Sequence, residues 1–388
     1  MFKLNEYKNK ILEGNVLDVL KDIPDESLDC SISSPPYYAL RDYQAGKSYV
    51  WDGVPNCKHV WGTSLKFSGN YPGNKDRTKS IEYQGLKGDA ENEKYKFTKN
   101  AGAGKFCQKC GAWMGQLGLE PQFNLYIKHL CDIYDQVFRV LKKEGSCWVN
   151  LGDTYMSNGS SSAPTITKGR KKGKYVGDAG DKAFTTKKAD KSLPHKCLCQ
   201  IPNRFAIEMC NRGWSLRNEV IWVKKSCMPF SGKDRFTVDH EKFFFFTKSR
   251  HYYFKQQLEV AKWAETDPRS KGIDFSNNDK TKTSKGKYAM QKSGKYTDGG
   301  MKNKRGTWIL GPDPVKESHF ATYPRDLVRT PMDACCPDDG ITLDPFMGSG
   351  TTGCVAREQN KNYVGVDINA DFIKIAQKRI RNVATPLF

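Results

Sequence analysis

The stretch that most limits the fold is residues 341–382, "ITLDPFMGSGTTGCVAREQNKNYVGVDINADFIKIAQKRIRN". The runs "ITLDPF" and "NYVGVDI" have strand composition. "GSGTTGCVAREQ" opens a helix, and "NADFIKIAQKRIRN" repeats apolar residues at helical spacing. Two strands joined through a helix lie parallel, and a parallel sheet must be covered on both faces. An α/β architecture follows, and an all-helical or all-β fold is excluded for this part. Gly348 and Gly350 let the backbone turn tightly at the head of the helix, where free N–H groups point at a ligand. The second strand ends in Asp367, 23 residues after Asp344. An acidic group at that remove commonly takes ribose hydroxyls, so the spacing predicts a nucleoside-cofactor site. The plainer alternative is a tight strand-to-helix turn with no ligand. The usual nicotinamide signature G-x-G-x-x-G is absent; the loop is Phe-x-Gly-x-Gly behind an Asp-Pro.

The rest of the chain continues the alternation. A short strand, a helix near Val16–Lys21 and a strand Asp29–Ser33 come first. From Pro121, placed in the first turn, Phe123 to Leu141 repeat at helical spacing, and "SCWVNLGD" follows as a buried strand. A helix near Asn203–Arg212 ends at Gly213, with strands expected at Asn218–Val223 and Lys242–Thr247. Phe243–Phe246 reads as buried on both faces. Residues 54–112, 163–192 and 261–306 show little regular pattern. The expected fold is therefore a mostly parallel, doubly wound sheet with insertions.

Charge is uneven. Residues 163–192 carry a net +6 and residues 261–305 a net +7, out of +20 for the whole chain. Clustered positive charge on Gly/Ser/Thr-rich segments suits contact with a polyanion, most simply nucleic acid, or else a solubilising loop. No apolar run of membrane-spanning length and no secretory leader is seen at "MFKLNEYKNK", which reads as a soluble cytoplasmic protein. The 13 cysteines are scattered, as reduced thiols are. Cys107 and Cys110 have knuckle spacing, and Cys57 with His59 completes a tetrahedral zinc set; reduced surface cysteines are the alternative, and "CLC" at 197–199 is a competing ligand source. A structural zinc would fold a segment with little core of its own.

"SISSPPYYAL", residues 31–40, ends a strand with two prolines, which fix φ and stiffen the loop beyond the strand. Together with "DPFMGSGTT" this resembles the amino-methylating (N4-cytosine/N6-adenine) DNA methyltransferases. The order, catalytic loop first and cofactor loop last, resembles their permuted class, and the Cys/His insertion resembles phage and bacterial members. The resemblance implies a Rossmann-like methyltransferase fold using S-adenosyl-L-methionine. It assigns the cofactor to Asp344, Pro345, Phe346, Gly348, Gly350, Thr351, Thr352 and Asp367, to Phe320, Ala321 and Thr322 of "HFATYPRDLV", and to Asn15 where relatives carry an acidic residue. The catalytic loop becomes Ser34, Pro35, Pro36 and Tyr37. An exocyclic amine is a poor nucleophile because its lone pair is delocalised. Acceptors at the Ser34 side chain and the Pro35 carbonyl would free that pair, and Tyr37 would stack on a flipped base. Ser-Pro-Pro-Tyr favours cytosine N4 over adenine N6. Cytosine C5 chemistry is disfavoured, since "CCP" at 335–337 has the reverse order of the needed Pro-Cys.

The implied division is 1–54 catalytic-loop part of the core, 55–115 zinc insertion, 116–254 core with a basic loop 157–195, 255–306 target-recognition region and 307–388 cofactor part. Implied partners are double-stranded DNA and, as a second protein to look for, a cognate restriction endonuclease. Asn150 and Asp153 of "NLGD" are candidates for the target-base pocket, Arg235 and His240 for phosphate or pocket contacts, and His129 is expected to be structural. Rival readings are an RNA or protein methyltransferase, a non-catalytic zinc DNA-binding module and, more distantly, a nicotinamide oxidoreductase.

Overall fold

A computed structural model describes residues 4–39, 48–62, 104–156, 192–227, 229–230, 232–260, 301–311 and 323–384. Most of both basic segments, together with Phe320, Ala321 and Thr322, lies outside the described residues. In chain order the strands are β1 (Lys10–Glu13), β2 (Leu28–Ser33), β3 (Tyr49–Trp51), β4 (Lys105–Phe106), β5 (Trp113–Gly115), β6 (Leu141–Leu151), β7 (Ser215–Lys224), β8 (His240–Thr247), β9 (Leu258–Val260), β10 (Met301–Asn303), β11 (Thr307–Leu310), β12 (Ile341–Asp344) and β13 (Asn362–Asp367).

Eight of them form one sheet in the order β1-β13-β12-β2-β6-β8-β7-β11. All neighbouring pairs are parallel except those of β8, which runs antiparallel between β6 and β7. The expected mostly parallel α/β sheet is present. Helices Val16–Asp22, Phe123–Val140 and Ile201–Asn211 bury their apolar sides on one face. Helices Arg325–Cys335, Thr351–Glu358 and Ala370–Arg381 cover the other. The run Phe243–Phe246 shows why both faces are needed. Phe244 and Phe246 enter the first core and Phe243 and Phe245 the second, as the period of two along a strand requires.

Several expected boundaries move. Pro121 precedes the long helix rather than entering it, since Gln122 is the capping residue. The "SCWVNLGD" strand begins earlier, at Leu141. In and beside the patternless stretches, β3, β5 and β4 form a small antiparallel sheet, and β9 pairs with β10. Strands of two or three residues leave too little sequence for a period to register. The β9–β10 stem is tied to the end of helix Arg325–Cys335, where Lys255 N–H donates to the Ala334 carbonyl at 2.7 Å.

The C-terminal strands β12 and β13 are inserted between β1 and β2. The chain leaving β2 returns to β6 through helix Phe123–Val140 on one face. The chain leaving β12 returns to β13 through helix Thr351–Glu358 on the other. Neighbouring parallel strands whose connections depart to opposite faces open a crevice at their carboxyl ends, the usual binding position in such sheets.

Candidate active site

Both motif loops open into that crevice. β12 pairs with β2 at Thr342 with Cys30 and Leu343 with Ser31, so "DPFMGSG" and "SPPY" emerge side by side.

The glycine loop is bonded mainly to itself. Asp344 is 1% exposed. Its Oδ1 accepts from Phe346 N–H at 3.0 Å and its Oδ2 from the Thr352 hydroxyl at 2.6 Å. The Tyr323 hydroxyl lies 2.6 Å from Thr352 Oγ1 and 3.2 Å from the same carboxylate oxygen. Burial pushes the Asp344 carboxyl up to about 6, against the pull of these donors. Asp344 therefore staples the turn through protein partners. Asp367, at the end of β13, accepts Gly348 N–H at 2.7 Å and Asn369 N–H at 2.8 Å. Burial raises its carboxyl as well. One carboxylate thus ties the glycine loop to the neighbouring strand end while each of its oxygens keeps a second lone pair.

The two glycines do different work. Gly348 has φ +49°, and a Cβ there would meet the Phe346 carbonyl oxygen at an ordinary contact distance of 3.8 Å. At Gly350, φ is +84° and a Cβ would sit 2.8 Å from Ala376 Cβ, so its bareness lets two helices touch. Pro345, Thr351 and Thr352 are buried and Phe346 is half-buried against the first core. Asn15 lies at the end of β1 beside β13, where its side chain caps helix Val16–Asp22 by accepting Leu17 N–H at 2.9 Å.

The proline loop is held by residues far along the chain. Tyr134 bonds Ser33 at 2.8 Å, and Tyr126 donates to the Pro36 carbonyl at 2.8 Å. Ala39 N–H donates to the Gly118 carbonyl at 2.8 Å. Among the described residues nothing donates to the Pro35 carbonyl. Ser34 Oγ donates to Tyr37 Oη at 3.3 Å, and Tyr37 Oη lies 2.6 Å from Glu241 Oε2 and 2.9 Å from Asn150 Oδ1. Asn150 thus joins the loop. Asp153 does not: it accepts Thr154 and Ile201 N–H and starts the next helix. Arg235 lies between the rings of Tyr155 and Phe230 at 3.5 and 4.2 Å, and His240 is exposed beside Asp239.

The four expected metal ligands converge. Cys57 Sγ, His59, Cys107 Sγ and Cys110 Sγ have their ligand atoms within 4.8 Å of one another. Tetrahedral zinc at bonds of about 2.0–2.3 Å sets its ligands roughly 3.3–3.8 Å apart, so the set fits with small movements. Lys109 N–H donates to Cys107 Sγ at 3.4 Å and Gly111 turns at φ +74°. Burial opposes ionisation of Cys107, but the N–H groups of Cys110 and Lys109 and the His59 ring bring its thiol down to about 5. Cys197 and Cys199 lie apart from this cluster, with Cys199 in the main core. The neighbouring small sheet packs on helix Phe123–Val140 through buried His129, stacked by Trp51 and Trp113 at 4.5 and 5.6 Å. His129 bonds Glu120 at 3.0 Å and Asp52 at 3.2 Å, a structural position as expected.

Sequence reading missed Tyr323, Tyr126, Gly118 and Glu241. Tyr323 adjoins the "HFAT" segment and was within reach. The others carry no local signal, since each meets the loop only through the fold. Among the described residues no helix is long and apolar enough to cross a membrane.

Comparison with known proteins adds an independent line. The family model described as DNA methylase, of the N6/N4 type, matches residues 28–378. The Type II methyltransferase M.SmaI of Serratia marcescens is 29% identical over 96% of this chain and 90% of its own length. The Type II methyltransferase M.Cfr9I of Citrobacter freundii is 26% identical over 97% of this chain and 88% of its own. Among solved structures, the PvuII DNA methyltransferase (cytosine-N4-specific) matches in fold with a TM-score of 0.51 at 13% identity, covering 97% of this chain and 88% of that one.

Proposed function

Since the chain belongs to the N6/N4 family of DNA methylases, we propose that it moves the methyl group of S-adenosyl-L-methionine to an exocyclic base amine of double-stranded DNA, cytosine N4 ahead of adenine N6. The observation that carries this is the pairing of β12 with β2, which sets the glycine loop and the Ser-Pro-Pro-Tyr loop at adjoining strand ends. The cofactor supplies an electrophilic methyl group on a sulfonium.

The remaining work falls to this chain. Asp367 takes ribose hydroxyls with the lone pairs its two backbone bonds leave over. Gly348, bare and at positive φ, lets the loop backbone approach the methionine part, and Phe346 borders it. Asp344, with both oxygens engaged, keeps the loop's shape. Ser34 Oγ spends its proton towards Tyr37, so its lone pairs face the amine. The Pro35 carbonyl is the second acceptor, fixed by its ring and by Tyr126 on the next carbonyl. Two acceptors aimed at the amine hydrogens favour pyramidal nitrogen and release the lone pair for in-line attack. The nitrogen would gain the methyl group as the carbon–sulfur bond of the sulfonium breaks, and its surplus proton would pass by way of these acceptors to solvent. Tyr37 stacks on the extruded base. The choice of cytosine N4 rests on Ser34, a neutral acceptor, at the head of the loop.

Zinc at Cys57, His59, Cys107 and Cys110 is the second part of the proposal. It is supported by the convergence of four soft or borderline donors. The relatives' Type II naming supports a defined duplex target and makes a cognate endonuclease worth seeking.

The test is transfer of labelled methyl to unmethylated duplex DNA, with the product digested to nucleosides and identified by mass. N4-methylcytosine is expected. N6-methyladenine would overturn the base assignment and keep the mechanism, and transfer only to RNA or protein would overturn the DNA reading. Cofactor binding with no transfer to any substrate would favour a non-catalytic DNA-binding module. Elemental analysis of purified protein is expected to find about one zinc per chain, the number one four-ligand set holds.

A further inference from the structure

The proposed reaction needs the Tyr37 ring at one angle, and four distant residues hold this residue in place. A Cβ at Gly152 would stand 2.7 Å from Tyr37 Cε2, so this bare Cα lets the ring edge lie against the end of β6. Gly118, at φ +90°, comes so close that a Cβ there would be 3.0 Å from the Tyr37 carbonyl. The hydroxyl faces two acceptors, Glu241 Oε2 at 2.6 Å and Asn150 Oδ1 at 2.9 Å. Asn150 presents its oxygen because its Nδ2 donates to the Lys242 carbonyl at 3.2 Å.

A phenol has one proton to give. The closer, charged acceptor takes it, because a bond to a carboxylate is shorter and stronger than one to an amide oxygen. Lys224 Nζ lies 2.5 Å from the other carboxylate oxygen of Glu241, whose side chain is 12% exposed. The lysine therefore holds one carboxylate oxygen and leaves the other facing Tyr37.

We propose that Glu241, backed by Lys224, is the positioning residue that sets the Tyr37 ring for the target base. This rests on the methyl-transfer reading. Because Ser34 Oγ bonds the same phenol oxygen, release of Tyr37 also loosens the first acceptor for the amine. Glu241 enters from the start of β8, 204 residues away from Tyr37, and acts on the reaction only through that ring.

A mutant cycle on the full chain tests the assignment. Glu241→Ala is expected to lower kcat about ten- to a hundredfold, the worth of one hydrogen bond to a charged group, with cofactor affinity within about twofold of wild type. Tyr37→Phe, which keeps the ring and removes the proton, is expected to fall in the same range. The double variant is expected to be no worse than the weaker single one. Glu241→Gln is expected to recover most of the rate, since its amide oxygen still accepts the phenol proton. Multiplicative losses in the double variant, a glutamine variant as slow as the alanine one, or loss confined to cofactor binding would each overturn the proposal. If Glu241→Ala fails to fold, the cycle is run with Glu241→Gln and Tyr37→Phe alone. Fluorotyrosine placed at position 37 gives a readout without substrate. Its fluorine resonance should move towards the solvent-exposed position when Glu241 is replaced, and an unmoved signal overturns the grip even if no DNA substrate is found.

Discussion

Two loops leave neighbouring central strands at the carboxyl end of the sheet, and they are held by opposite means. The loop after β12 closes mainly on residues within its own βαβ unit, Asp344 on Phe346 and Thr352 and Asp367 on Gly348 and Asn369, with Tyr323 joining from just upstream. The loop after β2 is held from afar, by Tyr126 across 90 residues, Tyr134 across 101, Asn150 across 113 and Glu241 across 204. A self-contained loop can be carried as a cassette and keep its shape wherever the chain places it. A remotely braced loop exists only in the finished fold, and each brace is a place to adjust the reacting group without touching it.

The largest expected effect breaks the self-contained loop at its tightest point. Gly350→Ala places a side chain at positive φ against Ala376, costing about 2–4 kcal/mol from backbone strain and overpacking together. Thermal unfolding should drop and cofactor affinity weaken, while at saturating cofactor the proline-loop chemistry should persist. Equal loss in kcat would show that the two loops are not separable.

Next in size is the pH response of the same loop. The folded Asp344 carboxyl titrates at about 6 because it is buried. Its unfolded value is about 3.9. The folded state therefore binds more protons between those values, and stability falls as pH rises through that window, by an amount on the order of 2 kcal/mol. The Asp344→Asn variant should lack this slope. Parallel unfolding curves for the two proteins from pH about 4 to about 6.5 would deny the buried carboxyl its role.

The smallest effect sharpens the other side of the comparison. Tyr126→Phe removes one bond to the Pro36 carbonyl, worth about 1 kcal/mol. It should slow methyl transfer several-fold and leave cofactor affinity alone, the reverse of the Gly350→Ala pattern. Weakened cofactor binding in this variant would mean the braces serve the crevice as a whole.

Legibility in the sequence follows the same division. The glycine loop, the strand and helix around it and Asp367 lie within some forty residues of one another, and local pattern alone marks them. The convergence of Cys57, His59, Cys107 and Cys110 was legible through spacing, although the two pairs lie some fifty residues apart within one insertion, because cysteine and histidine at knuckle spacing have few other uses. "SPPY" was legible as a stiff strand end, but its braces were not. Asn15 reads from the sequence as a cofactor residue and Asp153 as a base-pocket candidate; in the fold Asn15 caps its own helix and Asp153 accepts the Ile201 N–H at the head of a helix 48 residues on, bonds that the sequence reading did not include.

By itself the sequence determined the α/β class, the two motif loops, the grouping of the candidate Cys/His set and the family, because each rests on residue types at short spacing, where chain connectivity already limits the geometry. Only the tertiary structure decided that β12 enters the sheet beside β2, that Gly350 serves helix packing while a Cβ at Gly348 would meet a backbone oxygen at ordinary contact distance, and that Glu241 reaches Tyr37. Those contacts join segments whose separation along the chain carries no periodic signal. They form when the sheet buries both of its faces, and the order of strands that achieves this is a property of the whole core.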